Sequence, residues 1–123
     1  MADAPRAISV VLDENVDEFL RHHFGPGVRA ETVRYRGWKE LQNGKLLQAI
    51  GEAGDVDVFV TADQNLPHQQ HIRALPFAVL VLRPRRKTPE TLIALMPEVR
   101  RLLPSVRPGT VTEVFTPPEA RAF

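Results

Sequence analysis

The chain has no cysteine and only one tryptophan and one tyrosine among its 123 residues. Without thiols it can form neither disulfide bridges nor thiolate metal sites. The longest apolar run, residues 75–82, is far too short to cross a bilayer, and the first residues lack the apolar core of a signal peptide. We therefore expect a cytoplasmic protein with no membrane partner.

The composition is that of an ordinary globular domain, with 43% hydrophobic and 25% charged residues. A chain of this length can bury roughly two-thirds of its unfolded surface, which is enough for one core. We assign residues 1–116 to a single domain and residues 117–123, which begin with two prolines, to a loose tail. The net charge of +1 says little as a total, so the local clustering of charge matters more.

Short β-branched runs alternate with helical patterns along the chain. The strand-like runs are residues 7–12, 28–33, 56–61, 77–82 and 110–115. The helical patterns are residues 15–23, a helix opened by Asn43 as N-cap, a short helix or turn at 66–72, and a helix capped by Thr88 that Pro97 should break or restart. This alternation predicts an α/β fold in which helices flank a five-stranded, mainly parallel sheet. The fully apolar fourth strand should be interior, and the last strand should lie at an edge.

Two carboxylates follow strand-like runs at the point where each strand should end. Asp13 closes the run at 7–12, and Asp63 comes two residues after the run at 56–61. Because the carboxyl ends of parallel strands share one edge of the sheet, where open α/β sheets bind ligands, we expect the two side chains to meet. Carboxylate oxygens are ligands of hard cations such as Mg²⁺. Two negative charges neutralise one divalent ion, so a single, weakly held ion is favoured over two.

Three short motifs occur in order along the chain: Leu12-Asp13-Glu14-Asn15-Val16, Asn43-Gly44-Lys45-Leu46-Leu47, and Val60-Thr61-Ala62-Asp63-Gln64-Asn65-Leu66. At these spacings they resemble the PIN-like domains found as the toxin half of toxin–antitoxin pairs, over about residues 8–82. The resemblance implies a parallel sheet, a carboxylate cluster that binds Mg²⁺ or Mn²⁺, and ribonuclease activity held in check by a small antitoxin. RNA and an antitoxin are thus the expected partners, while the sequence leaves open whether the chain forms a homodimer.

The resemblance also implies roles for individual residues. Asp13 matches the acid that ends the first strand, and Asp63 matches the acid after the Thr-x-Asp strand, so both are expected to bind metal and to be catalytic. Asn43 and Asn65 stand where many relatives have aspartates, and their amide oxygens are further candidate ligands. Two of the usual four carboxylates are therefore amides, which leaves a catalytically weak or inactive scaffold that binds an antitoxin as the alternative function.

Each of these residues also has a purely structural interpretation. Asp13 and Asn43 could cap helices, and Asp63 could cap the following turn. Glu14 is a first-turn acid favoured by the helix dipole, and we keep it only as a reserve metal ligand. We favour the functional interpretation for Asp13 and Asp63, and the capping interpretation for Asn43.

Basic residues cluster in two segments that should follow the second and fourth strands. The candidate nucleic-acid ligands in these segments are Arg34, Arg36, Trp38 and Lys39, and Arg83, Arg85, Arg86 and Lys87. In a parallel sheet both loops lie at the edge that carries the two carboxylates. Arginine binds phosphate through two parallel hydrogen bonds, and Trp38 or Tyr35 could stack on unpaired bases. The leading hypothesis is thus a metal-dependent endoribonuclease with a basic rim that binds RNA.

Overall fold

Five strands form one sheet in the computed structural model, which describes residues 6–117. The strands are β1 (Ile8–Leu12), β2 (Val28–Thr32), β3 (Val58–Thr61), β4 (Ala78–Arg83) and β5 (Val111–Phe115). They lie in the order β2-β1-β3-β4-β5, and each neighbouring pair is parallel. The predicted α/β fold is therefore confirmed, with β4 interior and β5 at an edge. The predicted tail, apart from Pro117, lies outside the described residues.

Helices cover both faces of the sheet, because successive side chains of each strand point to opposite faces. The helical segments are α1 (Asn43–Ala53), α2 (Leu66–Gln69), α3 (Pro89–Leu102) and three 3₁₀ segments, Glu18–His23, Ile72–Ala74 and Leu103–Ser105. Helix α3 and the first 3₁₀ segment pack on the face that carries Leu12 and Leu80. Helices α1 and α2 pack on the face that carries Val11 and Phe59. Among residues 6–117, no helix is both long enough and apolar enough to span a membrane.

The helix predicted over residues 15–23 is wrong in its first part. Only Glu18–His23 is helical, in 3₁₀ geometry, and Asp17 before it has a ψ of 129°. The Asn15 side-chain oxygen accepts a hydrogen bond from the Ala62 backbone N–H at 3.0 Å. An asparagine that bonds a backbone group in this way favours a turn over a helix. Apolar spacing alone did not reveal this competing bond.

Two further expectations about helices are corrected. Helix α1 has Gln42 as its N-cap and Asn43 as its first residue, so Asn43 is not the cap. Helix α3 continues through Pro97, although that residue cannot donate to the Ile93 carbonyl. Both residues lie on the exposed side of the helix, where water can bind the freed carbonyl. Thr88 caps α3 as predicted, accepting a hydrogen bond from the Thr91 N–H at 3.2 Å.

The chain changes its direction of travel through the sheet at β1. It crosses from β1 to β2 on one side, and then returns past β1 to β3 on the other. At such a switch point the two connections leave a crevice between the carboxyl ends of neighbouring strands, where open α/β sheets bind ligands. In this protein the crevice lies between the ends of β1 and β3, at Leu12 and Thr61.

Candidate functional site

The fold brings Asp13 and Asp63 together at this crevice. The Asp13 backbone N–H donates to the Val60 carbonyl at 2.8 Å, which fixes the end of β1 beside β3. The Thr61 hydroxyl donates to Asp13 Oδ2 at 2.7 Å and accepts the Asp63 N–H at 3.0 Å. Both carboxylates are half-buried. One threonine therefore connects the two acidic residues and orients the first of them.

Asn15 and Thr61 are site residues that the sequence reasoning missed. Asn15 Oδ1 accepts the Ala62 N–H at 3.0 Å, and its Nδ2 lies 3.5 Å from Thr61 Oγ1. These bonds tie the turn after β1 to the turn after β3. Thr61 is fully buried, and a buried hydroxyl needs a hydrogen-bond partner. A threonine ending an otherwise apolar strand, beside an acid, was the signal that could have identified it.

The pKa of Asp13 is raised above its usual value. Burial of the carboxyl is the largest cause, because it disfavours the charged form, and the nearby charges of Asp63 and Glu14 act in the same direction. The hydrogen bonds from Thr61 and from the Glu14 N–H lower the pKa and only partly offset this effect. A carboxylate held at this electrostatic cost would be stabilised by a bound cation.

The raised pKa of Asp13 predicts a pH dependence of stability. Because the folded state holds this proton more tightly, the contribution of Asp13 to the free energy of unfolding falls as pH rises from the unfolded pKa to the folded pKa. We expect Asp13→Asn to remove this loss. The stability of the variant relative to wild type should therefore increase across that window and level off above it, in urea unfolding from about pH 4 to about pH 7.

The matched control for this titration is Asp17→Asn, which removes an exposed acid from the same turn. Taking the difference between variant and wild type cancels the titration of the other carboxyl groups. A relative stability of Asp13→Asn that stays flat or falls with rising pH would contradict the burial of a costly charge at this position.

The carboxylates suit one hydrated divalent ion. Asp13 receives one hydrogen bond on each oxygen, and Asp63 Oδ1 receives one from the Asn65 N–H at 2.9 Å. A carboxylate has about four acceptor sites, so both groups retain lone pairs for a cation. Within residues 6–117, no group of three or more histidine, aspartate or glutamate side chains could hold a metal. Mg²⁺ is often bound through only one or two carboxylates and keeps several waters.

Of the other predicted metal ligands, Glu14 and Asn65 contact the pair through their backbones, whereas Asn43 has no described contact with it. Glu14 is exposed and donates its backbone N–H to Asp13 Oδ1 at 2.8 Å. Asn65 contacts Asp63 through its backbone and is itself exposed. Asn43 opens α1, whose next residue, Gly44, lies close to the segment after Asp63, since a Cβ at Gly44 would sit 3.6 Å from Gln70 Oε1. None of these three side chains is fixed on the carboxylates by a hydrogen bond between described atoms.

A groove of about 320 Å³ opens beside Asp13, and it brings two of the predicted basic residues to the site. Its acidic side is formed by Asp13, Glu14, Asp17 and Glu18. Arg34 and Lys39, both exposed, line it from the loop after β2. The groove therefore places two cations on the side opposite Asp13.

Arg36 and Trp38 belong to a structural cluster at the β2 edge of the sheet. The Arg36 guanidinium pairs with Glu31 at 2.9 Å and with Asp55 at 2.8 Å, and its hydrogen bonds to Asp55 lower the pKa of that acid. The guanidinium also lies 5.3 Å from the centre of the Trp38 ring, which packs against the core. These contacts do not test the predicted nucleic-acid role, but they occupy both side chains. Tyr35, 71% exposed, is the available aromatic residue of this loop.

The basic segment after β4 lies at the carboxyl end of the sheet, as the acidic pair does. Two of its four basic residues have partners in or after β5, and the other two are exposed. Arg83 pairs with Glu113 at 2.9 Å and lies 5.1 Å from the centre of the Phe115 ring. Arg85 donates from its backbone N–H to Thr116 Oγ1 and from its guanidinium to the Pro117 carbonyl, both at 2.8 Å. These two arginines fasten the loop to the end of β5. Arg86 and Lys87 are exposed and form no ion pair with a described residue.

The described features that bear on function are the acidic pair, the threonine between its members and the cations nearby. Its resemblance to PIN-like toxins stays a prediction. Comparisons with protein family models, with curated proteins and with solved structures find no match.

Proposed function

We propose that this protein is a PIN-like toxin of a toxin–antitoxin pair and cleaves RNA with the help of one Mg²⁺ or Mn²⁺ ion. The observation that supports the proposal most is the meeting of Asp13 and Asp63 at the switch point of the sheet. Two carboxylates whose charges repel each other in a half-buried crevice are an arrangement that a divalent cation stabilises.

Each residue of the site has a definite task under this proposal. Asp13 and Asp63 bind the cation, while Thr61 holds the Asp13 carboxylate in place through its 2.7 Å hydrogen bond. Asn15 keeps the two turns at a constant separation. A divalent cation bound there supplies Lewis acidity and lowers the pKa of water. Thr61 is thus a positioning residue, and the aspartates are the catalytic ones.

Exposed cations on both sides of the acidic pair support RNA as the substrate. Arg34 and Lys39 line the groove beside Asp13, and Arg86 and Lys87 project from the loop after β4. Phosphate oxygens between these groups would be neutralised in part by them and in part by the cation. Tyr35 is exposed beside the groove-lining Arg34 and offers an aromatic face to an unpaired base.

We predict that Arg86 and Lys87 contribute to the salt dependence of RNA binding. Each phosphate contact with single-stranded RNA contributes about 0.7 to the slope of log affinity against log salt concentration, so Arg86→Ala with Lys87→Ala should flatten the slope by about 1.4. Fluorescence anisotropy with a labelled oligonucleotide measures it. The control, Arg73→Ala with Arg107→Ala, removes equal charge from segments that precede β4 and β5. These segments lie at the N-terminal ends of the strands, away from the acidic pair at the carboxyl ends. Equal slopes in both variants would assign the Arg86–Lys87 pair to solvent or to a protein.

RNA cleavage by the purified full chain is the decisive test. We expect Mn²⁺- or Mg²⁺-dependent cleavage that EDTA stops and that is absent from Asp13→Asn purified in the same way. Cleavage that persists in Asp13→Asn would come from a contaminant or from another site, and the proposal would fail.

The second candidate is a scaffold that binds an antitoxin and does not cleave RNA. It is favoured by the amides at positions 43 and 65 and by the presence of only two well-placed carboxylates among residues 6–117. Metal binding without cleavage on any RNA tested would select this function. Cleavage lost in Asp13→Asn would exclude it.

A further inference from the structure

Strand β5 is an edge strand with one bare face. Helix α3 leads into β5 and covers the face on which Val114 is buried. The opposite face carries Val111 and Phe115, which are 37% and 56% exposed. Within residues 6–117 no helix follows β5, so no second connection covers this face as α1 covers the middle of the sheet. This face, on which Glu113 lies between the two apolar residues and pairs with Arg83, is thus left without a covering helix.

The outer edge of β5 also presents backbone groups that can pair. The Val79 N–H donates to the Thr110 carbonyl at 2.9 Å, and this bond shows which residues of β5 direct their backbone groups toward β4. In a parallel ladder, alternate residues direct both the N–H and the C=O to the neighbouring strand. Residues 112 and 114 therefore bond to β4. The N–H and C=O groups of Val111, Glu113 and Phe115 point away from the sheet, where an added strand could bind them.

A shallow apolar cavity of about 560 Å³ lies at the beginning of the same strand. It is lined by Pro67, Ile72, Ala74 and Val111, and by the more polar His71 and Arg73. A side chain of an added strand that points to the α2 side of the sheet would enter it. The surface therefore offers both backbone pairing and a side-chain site, as strand-addition surfaces do.

Both ends of β5 are basic. Arg73 and Arg107 lie at its beginning, and Arg86 and Lys87 lie at its end; none of the four pairs with an acid among the described residues. A second copy paired antiparallel about Glu113 would set the beginning of one strand against the end of the other. Like charges would then meet at both ends, and the two Glu113 side chains would face each other. An acidic partner segment matches the charges, whereas a second copy does not.

We propose that the outer edge of β5 binds an extended, acidic segment of a partner protein, which pairs as a sixth strand and places alternate apolar side chains against Val111 and Phe115. This site shares Arg86 and Lys87 with the cations proposed to bind RNA, but it includes neither Asp13 nor Asp63 and does not depend on metal binding or cleavage. Asp63→Asn should therefore leave the binding unchanged.

The test uses the full chain and a synthetic peptide of about nine residues that alternates valine and glutamate. In the free protein, residue-resolved amide exchange should be fast at Val111, Glu113 and Phe115 and slow at Thr112 and Val114. The peptide should slow exchange at the three outward amides. A peptide of alternating valine and lysine is the control and should leave them unchanged.

A proline substitution at the centre of β5 distinguishes peptide binding through backbone hydrogen bonds from binding through charge. Glu113→Pro deletes an outward N–H without removing a bond to β4, and edge strands tolerate proline at such positions. Glu113→Ala is the matched control, since it also removes the ion pair with Arg83 but keeps the N–H. We expect Glu113→Pro to bind the acidic peptide at least about fivefold more weakly than Glu113→Ala, the loss expected for one hydrogen bond.

Several results would overturn the proposal. If the acidic and basic peptides slow exchange of the outward amides equally, or if neither slows it, this edge does not select an acidic segment. Outward amides that are already slow in the free protein would mean that the edge is covered, by a second copy if the protection grows with protein concentration and by the chain itself if it does not. Protection by an RNA oligonucleotide in place of the peptide would make the surface a nucleic-acid site.

If Glu113→Pro fails to fold, charge reversal by Arg73→Glu with Arg107→Glu replaces it. We expect this variant to lose binding of the acidic peptide, and unchanged binding would contradict the proposal.

Discussion

Asp13→Asn is expected to abolish binding of Mn²⁺ and, with it, RNA cleavage. Two unit charges about 4 Å apart interact by roughly 4 kcal/mol at an effective dielectric of 20, and the double charge of Mn²⁺ raises this to about 8 kcal/mol before the cost of removing water is subtracted. We therefore expect the affinity for Mn²⁺ to fall by more than about 100-fold. Isothermal titration calorimetry at neutral pH measures this affinity, and Asp63→Asn should have an effect of the same order.

Thr61→Val is the informative companion to these variants. Valine has the same shape as threonine but lacks the hydroxyl that donates to Asp13 and accepts from the Asp63 N–H. Both carboxylates remain, so we expect a smaller loss of Mn²⁺ affinity, about 10-fold, of the kind that follows removal of a group supporting a metal ligand. Asp17→Asn removes a charge from the same groove without touching the pair. Binding of Mn²⁺ that survives both Asp13→Asn and Asp63→Asn would place the ion elsewhere.

Asn43→Asp together with Asn65→Asp is expected to tighten metal binding and to start or increase RNA cleavage. Asn65 follows Asp63 so closely that its N–H bonds that carboxylate, and Asn43 opens the helix whose second residue, Gly44, lies near Gln70. A carboxylate at either position adds negative charge near a bound cation. We expect the affinity for Mn²⁺ to rise by about 10-fold, after allowance for repulsion among the unbound acids. Titration calorimetry and cleavage of a labelled RNA measure the two effects.

The double variant should fold with little loss of stability. Asn43 is the first residue of α1, where an aspartate interacts favourably with the helix dipole. Gln48→Glu adds one negative charge on the exposed part of the same helix and serves as a control for Mn²⁺ affinity but not for stability, because it also removes the hydrogen bond that Gln48 donates to Glu52 at 3.0 Å. A folded double variant with unchanged Mn²⁺ affinity would show that positions 43 and 65 do not face the acidic pair. The scaffold function would then be favoured.

The two halves of the acidic site could be predicted because each depends on a local pattern. A run of β-branched residues forms a buried strand, and an acid one or two residues after it must lie near the end of that strand. The identity of the residue that joins the halves could not be predicted in the same way. Thr61 and Asn15 act through bonds between segments about 46 residues apart, and no local pattern sets the direction of such bonds.

The basic residues show the opposite case, in which local composition does not predict the contacts that each side chain makes. Arg36 and Arg86 look alike in the sequence. Arg36 turns back along the edge of β2 because Glu31 and Asp55 lie there, whereas Arg86 has no described acid within reach and stays exposed. Trp38 is likewise fixed by the core and by Arg36. A side chain's partner depends on which neighbours the fold supplies, so the eight predicted nucleic-acid residues could not be separated beforehand.

The sequence by itself determined the α/β alternation, the parallel sheet and the positions of Asp13 and Asp63 at strand ends, because hydrophobic periodicity and strand length are local properties of the chain. Only the tertiary structure decided that β1 and β3 are neighbours, which is what buries Asp13 beside Asp63 in one crevice; that burial, more than the nearby charges, raises the pKa of Asp13. It also decided that the far face of β5 stays bare. Strand order depends on which connections pack on which face, and that choice is made by contacts between residues distant in the chain.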